Sequence, residues 1–210
     1  MNPLQYEDGP LVWLDLETSG LDPAKARILE VAVLITNGDL EIVDEKGCEL
    51  VVNLKAETMK EMDRWTRNQH AKSGLLAKAE ESTLTAPEVA DEVLAYIKHW
   101  IPKPGIAQLA GSSIHFDAMF LRSAGPDVAE HGGKLIWKKI MDHLHHRRVE
   151  MWYPKVYREY GDKFQKESKH RALDDLRESI IELKFYRETM FAKPEEEIEK
   201  EAETKKRKLE

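Results

Sequence analysis

The sequence predicts an α/β protein, a mixed sheet with helices on its faces, and three observations predict it. Apolar, β-branched-rich runs at 11–16, 28–36 and 47–54 are joined by short breaker-rich segments. Helical patterning dominates from residue 85 onward. A further short apolar run, Ile106–Ala110, falls between two helical segments. Strands first, then helix alternating with strand, build one sheet covered by helices. A chain of 210 residues makes one domain of this kind and buries a core without disulfides or a structural metal.

Each element has its own signal. LVWLDL (11–16) reads as a strand, closed by the breakers of TSGLDP; ILEVAVLIT (28–36) is a second, ended by Asn37-Gly38; GCELVVNL (47–54) is a third. Their short connections imply antiparallel pairing. Thr85-Ala-Pro-Glu88 is a capping box with proline at the helix start, and Val89, Val93, Ile97 and Trp100 follow at helical spacing. Pro102, Pro104 and Gly105 end that helix. Phe116–Ser123 reads as a helix, 134–141 as a strand and His143–Trp152 as a helix. The last helix spans Ala172 to Phe191, with Leu176, Ile180 and Leu183 on one side. Residues 1–193 form the domain. Residues 194–210 are a charged tail with no apolar face to bury, expected to be disordered; its Lys205-Lys206-Arg207-Lys208 is a weak basic motif.

Composition excludes several functions. Thirty-two basic residues against 39 acidic ones give a net charge of −7, so a broad grip on long duplex nucleic acid is not expected. One cysteine, Cys48, makes no internal disulfide, and no Cys/His spacing suits zinc. No apolar run approaches the roughly 18 residues of a membrane span. MNPLQYEDGP has neither a signal peptide's apolar stretch nor a transit peptide's arginines. The expectation is a cytoplasmic domain.

The chemistry falls on four acids and one histidine. Asp15 and Glu17 lie two apart near the end of the first strand, so both project from one face while Leu14 and Leu16 take the other. Paired carboxylates repel unless a cation lies between them, and hard divalent ions prefer such oxygens. Asp117 follows the strand 106–110 and opens a helix. His170 and Asp175 are five apart, about 140° around a helix axis, which suits a histidine just before the helix and a carboxylate in its first turns. Taken singly, each has a plain structural explanation: a solvated strand end, a helix-dipole acid, a surface histidine.

In this order and spacing they resemble the DEDDh 3′→5′ exonucleases, and most closely the oligoribonuclease family. The matching segments are WLDLETSGLDP (13–23), ILEVAVLITNGDL (28–40), Trp65 through His70-AKSGL, GSSIHFDAMFL (111–121), WYPKVY (152–157) and HRALDDLRESIIELKFYR (170–187). The resemblance implies a ribonuclease-H-like mixed sheet with flanking helices. It implies that Asp15, Glu17, Asp117 and Asp175 bind two divalent ions, Mg²⁺ or Mn²⁺, with His170 as general base and Asp174 a bystander. The implied activity is hydrolysis of short RNA oligonucleotides, down to dinucleotides, to nucleoside 5′-monophosphates by a two-metal-ion mechanism. Few phosphates need neutralising on such substrates, which reconciles the activity with an acidic chain. Leu21 matches a wedge between terminal bases, Trp65 and His70 a nucleotide pocket, and Ser113 a phosphate contact.

The resemblance also implies a homodimer whose second subunit caps the 5′ phosphate, and here the chain departs from the family. Gly111-Ser112-Ser113 stands for Gly-Asn-Ser, Trp137-Lys138 for Tyr-Arg, and Asp142-His143-Leu144 for Asp-Val-Ser, with the register through 137–151 open by one residue. Tryptophan can stack as tyrosine does, but lysine lacks arginine's planar fork. His145-His146-Arg147-Arg148 is a second cationic run, either a substitute for those contacts or a solvated face. These departures favour one alternative, a 3′→5′ exonuclease of broader length range on RNA or DNA ends. A second alternative, an idle RNA-binding or dimerisation module, is opposed by the presence of all five active-site matches, since repelling carboxylates have no reason to stay together without a cation.

Overall fold

The computed structural model describes residues 2–150 and 171–190. Five strands form one sheet in the order β3-β2-β1-β4-β5: β1 (Leu11–Thr18), β2 (Ile28–Thr36), β3 (Cys48–Val51), β4 (Gln108–Gly111) and β5 (Arg148–Glu150). The first three are antiparallel neighbours, while β4 runs parallel to β1 and β5 parallel to β4. Of the helices, α1 (Ala56–Glu61), α2 (Arg64–Lys72) and α3 (Leu75–Glu81) follow β3, and α4 (Ala86–Trp100) precedes β4. Then come α5 (Ile114–Arg122), α6 (Pro126–Glu130), α7 (Lys138–His143) and, closing the described chain, α8 (Ala172–Met190).

Strand alternation divides the core in two. Val12, Leu14 and Leu16 of β1, with Val31, Val33 and Ile35 of β2, face Val89, Ala90, Val93 and Ile97 of α4. Leu11 and Trp13, with Ala32 and Leu34, face Ala172, Leu176 and Ile180 of α8. Trp13 is fully buried because its indole N–H donates to Thr36 Oγ1 at 3.0 Å. The Thr85–Glu88 capping box starts α4 as expected. Apolar periodicity does not mark residues 56–81, where the short helices rely on local devices such as Asp63, whose carboxylate accepts from the Trp65 and Thr66 amides.

Two expectations are overturned. Residues 134–141 are not a strand: Ile136, Trp137, Ile140, Met141 and Leu144 are buried in one core cluster, an i, i+4 repeat that belongs to α7. His143–Trp152 is not a helix over its described part, because Arg148–Glu150 is a strand. Its only inward apolar residue is the half-buried Val149, so pairing with β4, not sequence pattern, makes it a strand. The last two residues of the candidate helix, Met151 and Trp152, and the tail at 194–210 lie outside the described residues.

The α4 face carries the larger core, and Ile97 is fully buried at its centre. Ile97→Ala is expected to lower unfolding free energy by about 2–5 kcal/mol, measured as a reduced urea midpoint with unchanged slope.

Candidate active site

Asp15 and Glu17 occupy the α8 face of β1, in register with Ala32 and Glu30 of β2. Asp175, in the first turns of α8, completes a group in which each residue offers one carboxylate oxygen, the three lying within 4.8 Å of one another. Asp117 comes from the first turn of α5. The β1–β4 pairing ends at Trp13, and beyond it the Leu16 amide donates to Asp117 Oδ1 at 3.0 Å. That bond fixes a buried aspartate beside the strand that carries its two acidic neighbours. Asp174, the adjacent acid, instead faces Arg177 at 3.9 Å. His170 lies outside the described residues.

Burial and mutual repulsion act together on these groups. Asp15 is held well above the usual carboxylate range, first by desolvation and then by Asp117, Glu17 and Asp175. Glu17 is pushed up to about 8 by burial and by Glu30, Asp175 and Asp117. Asp117 rises to about 7 through burial, against the pull of the Leu16 amide. An all-oxygen donor set that resists ionising by itself fits a hard divalent cation, whose charge would reverse the penalty. Among the described residues, no zinc-type nitrogen or sulfur donor is part of the group.

The other expected residues divide. Leu21 is 77 % exposed at the tip of the loop after β1, so it is not core. Trp65 is 65 % exposed at the start of α2, a free aromatic face. A cleft of ≈ 220 Å³ beside Leu21 is lined by Ser19–Asp22, Lys25, Met62 and Asp63, among others. His70 is buried; its Nε2 bonds the Thr18 carbonyl at 2.8 Å and its Nδ1 lies 3.8 Å from Glu17, so it braces Glu17 from behind. Ser113 is exposed ahead of α5 in a left-handed conformation (φ 54°), unusual for a residue with a Cβ.

Trp137 and Lys138 do not fill the role expected of them. Trp137 is 3 % exposed and donates its indole N–H to Asp127 Oδ2 at 3.0 Å, which removes its ring from any stacking surface. Lys138 is paired with Asp142 one helical turn on. The residues leading into β5 are instead His145, His146 and Arg147, in an open segment rather than on a helix face, with the two imidazole centroids 4.1 Å apart.

Several participants were not evident from the sequence. Arg27 bridges Asp127 at 2.8 Å and Glu130 at 2.5 Å. Ser123, at the end of α5, donates to the Pro23 carbonyl at 2.6 Å, so the Leu21 loop is held by the end of α5 as well as by α6. A Cβ on Gly125 would lie 2.5 Å from that same carbonyl, which only glycine permits. Glu150 bonds His115 at 2.8 Å near Asp117. Glu30 is fully buried in β2; one acid inside ILEVAVLIT was the only sequence signal for it.

A five-stranded mixed sheet with flanking helices, carrying a half-buried carboxylate cluster on its central strand, is of the ribonuclease-H-like fold class. Its fold matches exonuclease I of E. coli in complex with a dT13 oligonucleotide, with a TM-score of 0.60 at 14 % identity, covering 85 % of this chain and 41 % of that one. The chain thus spans about two fifths of that structure. Residues 12–183 match the Exonuclease family. The mitochondrial oligoribonuclease of Bos taurus is 39 % identical over 89 % of this chain and 76 % of its own length. The oligoribonuclease of Vibrio vulnificus is 36 % identical over 90 % and 99 %. The chain belongs to the exonuclease family, in its oligoribonuclease branch. Among the described residues no helix is long and apolar enough to cross a membrane.

The raised carboxylate pKa values set a pH dependence. Unfolded carboxylates ionise near 4–4.5, whereas Glu17 and Asp117 keep protons to about 8 and about 7 in the fold. Between those limits the folded state binds more protons, so stability falls as pH rises. In EDTA the melting temperature is expected to drop between pH 5 and 8, more steeply than in Asp15→Asn, and Mg²⁺ is expected to restore it most at pH 8. Calorimetry across that range checks the sign.

Proposed function

We propose that the chain hydrolyses short RNA from its 3′ end, releasing nucleoside 5′-monophosphates, with Mg²⁺ or Mn²⁺ held by Asp15, Glu17, Asp117 and Asp175. The observation that carries this reading is the convergence of three carboxylates within 4.8 Å beside the anchored Asp117. Bound divalent ions supply the positive charge that the phosphate and the attacking water require, in a chain of net charge −7. Everything else is asked of the chain itself. His170, next to Arg171 in sequence, takes the proton from the attacking water; an imidazole ordinarily titrates near neutrality. Leu21 separates the terminal bases and Trp65 stacks against one of them. His70 keeps Glu17 in place. Ser113 offers its hydroxyl to the substrate phosphate.

We further propose a homodimer acting in the cytoplasm, although the bovine relative is named as mitochondrial. The 5′ phosphate cap then falls to His146, Arg147 and Arg148, all exposed, rather than to the buried Trp137 and the paired Lys138. Arginine's fork suits a terminal phosphate better than lysine does. The same reassignment favours a second reading, a 3′→5′ exonuclease of broader length range, if the cationic segment does not reach the partner's cleft.

Both readings meet in one experiment: hydrolysis of 5′-labelled RNA of two, three, five and twenty nucleotides, with Mg²⁺ or EDTA, beside a DNA dinucleotide. The dinucleotide is expected to be cleaved fastest, with no turnover in EDTA. Equal rates at all lengths would select the broader exonuclease. Asp15→Ala and Asp175→Ala are expected to lower kcat by about 10²–10³-fold with the fold kept; undiminished turnover in either removes the metal assignment.

A further inference from the structure

Helix α8 brings Asp175 to the cluster, yet it meets the sheet through a narrow apolar stripe of Ala172, Leu176 and Ile180. Apolar burial is non-directional and does not by itself place a carboxylate within a fraction of an ångström. A directional tie stands immediately before the helix. The Arg171 guanidinium donates from one nitrogen to Glu30 Oε1 at 3.2 Å and to Glu49 Oε1. Glu30 is fully buried and sits directly across from Glu17 in the β1–β2 register; Glu49 comes from β3. The Asp175 amide in turn donates to the Arg171 carbonyl at 3.0 Å, so one helical turn connects the guanidinium to the carboxylate it would place.

This arrangement is expensive for a fold. Among the described residues, Glu30 Oε2 and Arg171 Nε are buried with no hydrogen-bond partner, and Glu30 adds a further acid to a wall that already repels itself. Apolar residues in place of a buried ion pair are often neutral or stabilising. Packing alone therefore gives no reason for a glutamate inside β2.

We propose that Arg171, held between Glu30 and Glu49, is a positioning residue for the carboxylate site: it sets the rotation and height of α8 so that Asp175 meets Asp15 and Glu17, and it fixes the chain directly after His170. The proposal rests on the reading of those carboxylates as metal-binding. Its positive charge also works against the repulsion felt by Glu17.

The test is Mn²⁺ binding by electron paramagnetic resonance, together with kcat and KM on an RNA dinucleotide and melting temperatures, for Arg171→Gln and Arg171→Lys. Arg171→Gln is expected to weaken Mn²⁺ binding and lower kcat by about 10-fold or more, the effect typical of residues that orient metal ligands, with KM unchanged. Arg171→Lys keeps the charge and is expected to recover most of the Mn²⁺ affinity and part of kcat. Folded Arg171→Gln with parental Mn²⁺ affinity and kcat overturns the proposal. So do equal losses in both variants that merely follow their melting temperatures. If Arg171→Gln does not fold, Glu49→Gln takes its place: a reduced kcat at unchanged KM supports the proposal, and parental kcat and Mn²⁺ affinity overturn it. A parental protein that binds Mn²⁺ but leaves the dinucleotide intact removes the substrate reading only, and the resonance titration then decides. A parental protein that binds no Mn²⁺ ends both.

Discussion

Carboxylates crowded on the α8 side of the central strand repel one another, and the surrounding structure is arranged to hold them there. Asp15 and Glu17 share a face because a strand alternates. Asp117 stays beside them because the Leu16 amide, past the end of the β1–β4 ladder, has it as acceptor. Asp175 arrives on a separate helix tied to β2 and β3 through Arg171. No single element could supply this set, since like charges on one helix or strand would unravel it. Drawing them from β1, α5 and α8 lets the sheet carry the cost.

A second set of charges holds the loop after β1. The Leu21 loop has little apolar surface of its own to bury, and it is held by Arg27 against Asp127 and Glu130 and by the Ser123–Pro23 contact. Trp137 belongs to the same arrangement: its indole N–H takes the other oxygen of Asp127. Burying that ring lets one aspartate brace both the loop and α7. The cationic segment at 145–148 is free of such duty.

The match to exonuclease I at 14 % identity places the fold and nothing more, because one fold hosts many chemistries. Assignment to the oligoribonuclease branch comes from the relatives at 39 % and 36 % identity over most of the chain. The site adds a physical account of why such a chain can be acidic: a carboxylate cluster of this kind suits bound divalent cations, whose charge adds to that of lysine and arginine.

What the sequence by itself determined was local. Alternation in LVWLDLET placed Asp15 and Glu17 on one face; the Thr85 capping box started α4; the order of Asp-x-Glu, Asp117 and His170-x4-Asp175 carried the family. These are short-range patterns, set by periods of two and of 3.6 residues. Tertiary structure decided the rest. Arg148–Glu150 is a strand because β4 offers it a ladder, and 138–143 is a helix because its i, i+4 residues meet α4 and α5. Trp137 turned inward because Asp127, ten residues away, could satisfy its N–H. Glu30 and Arg171, 141 residues apart, became partners only once β2 and α8 were packed face to face. A buried charge names its partner through space, and no periodicity along the chain records that distance.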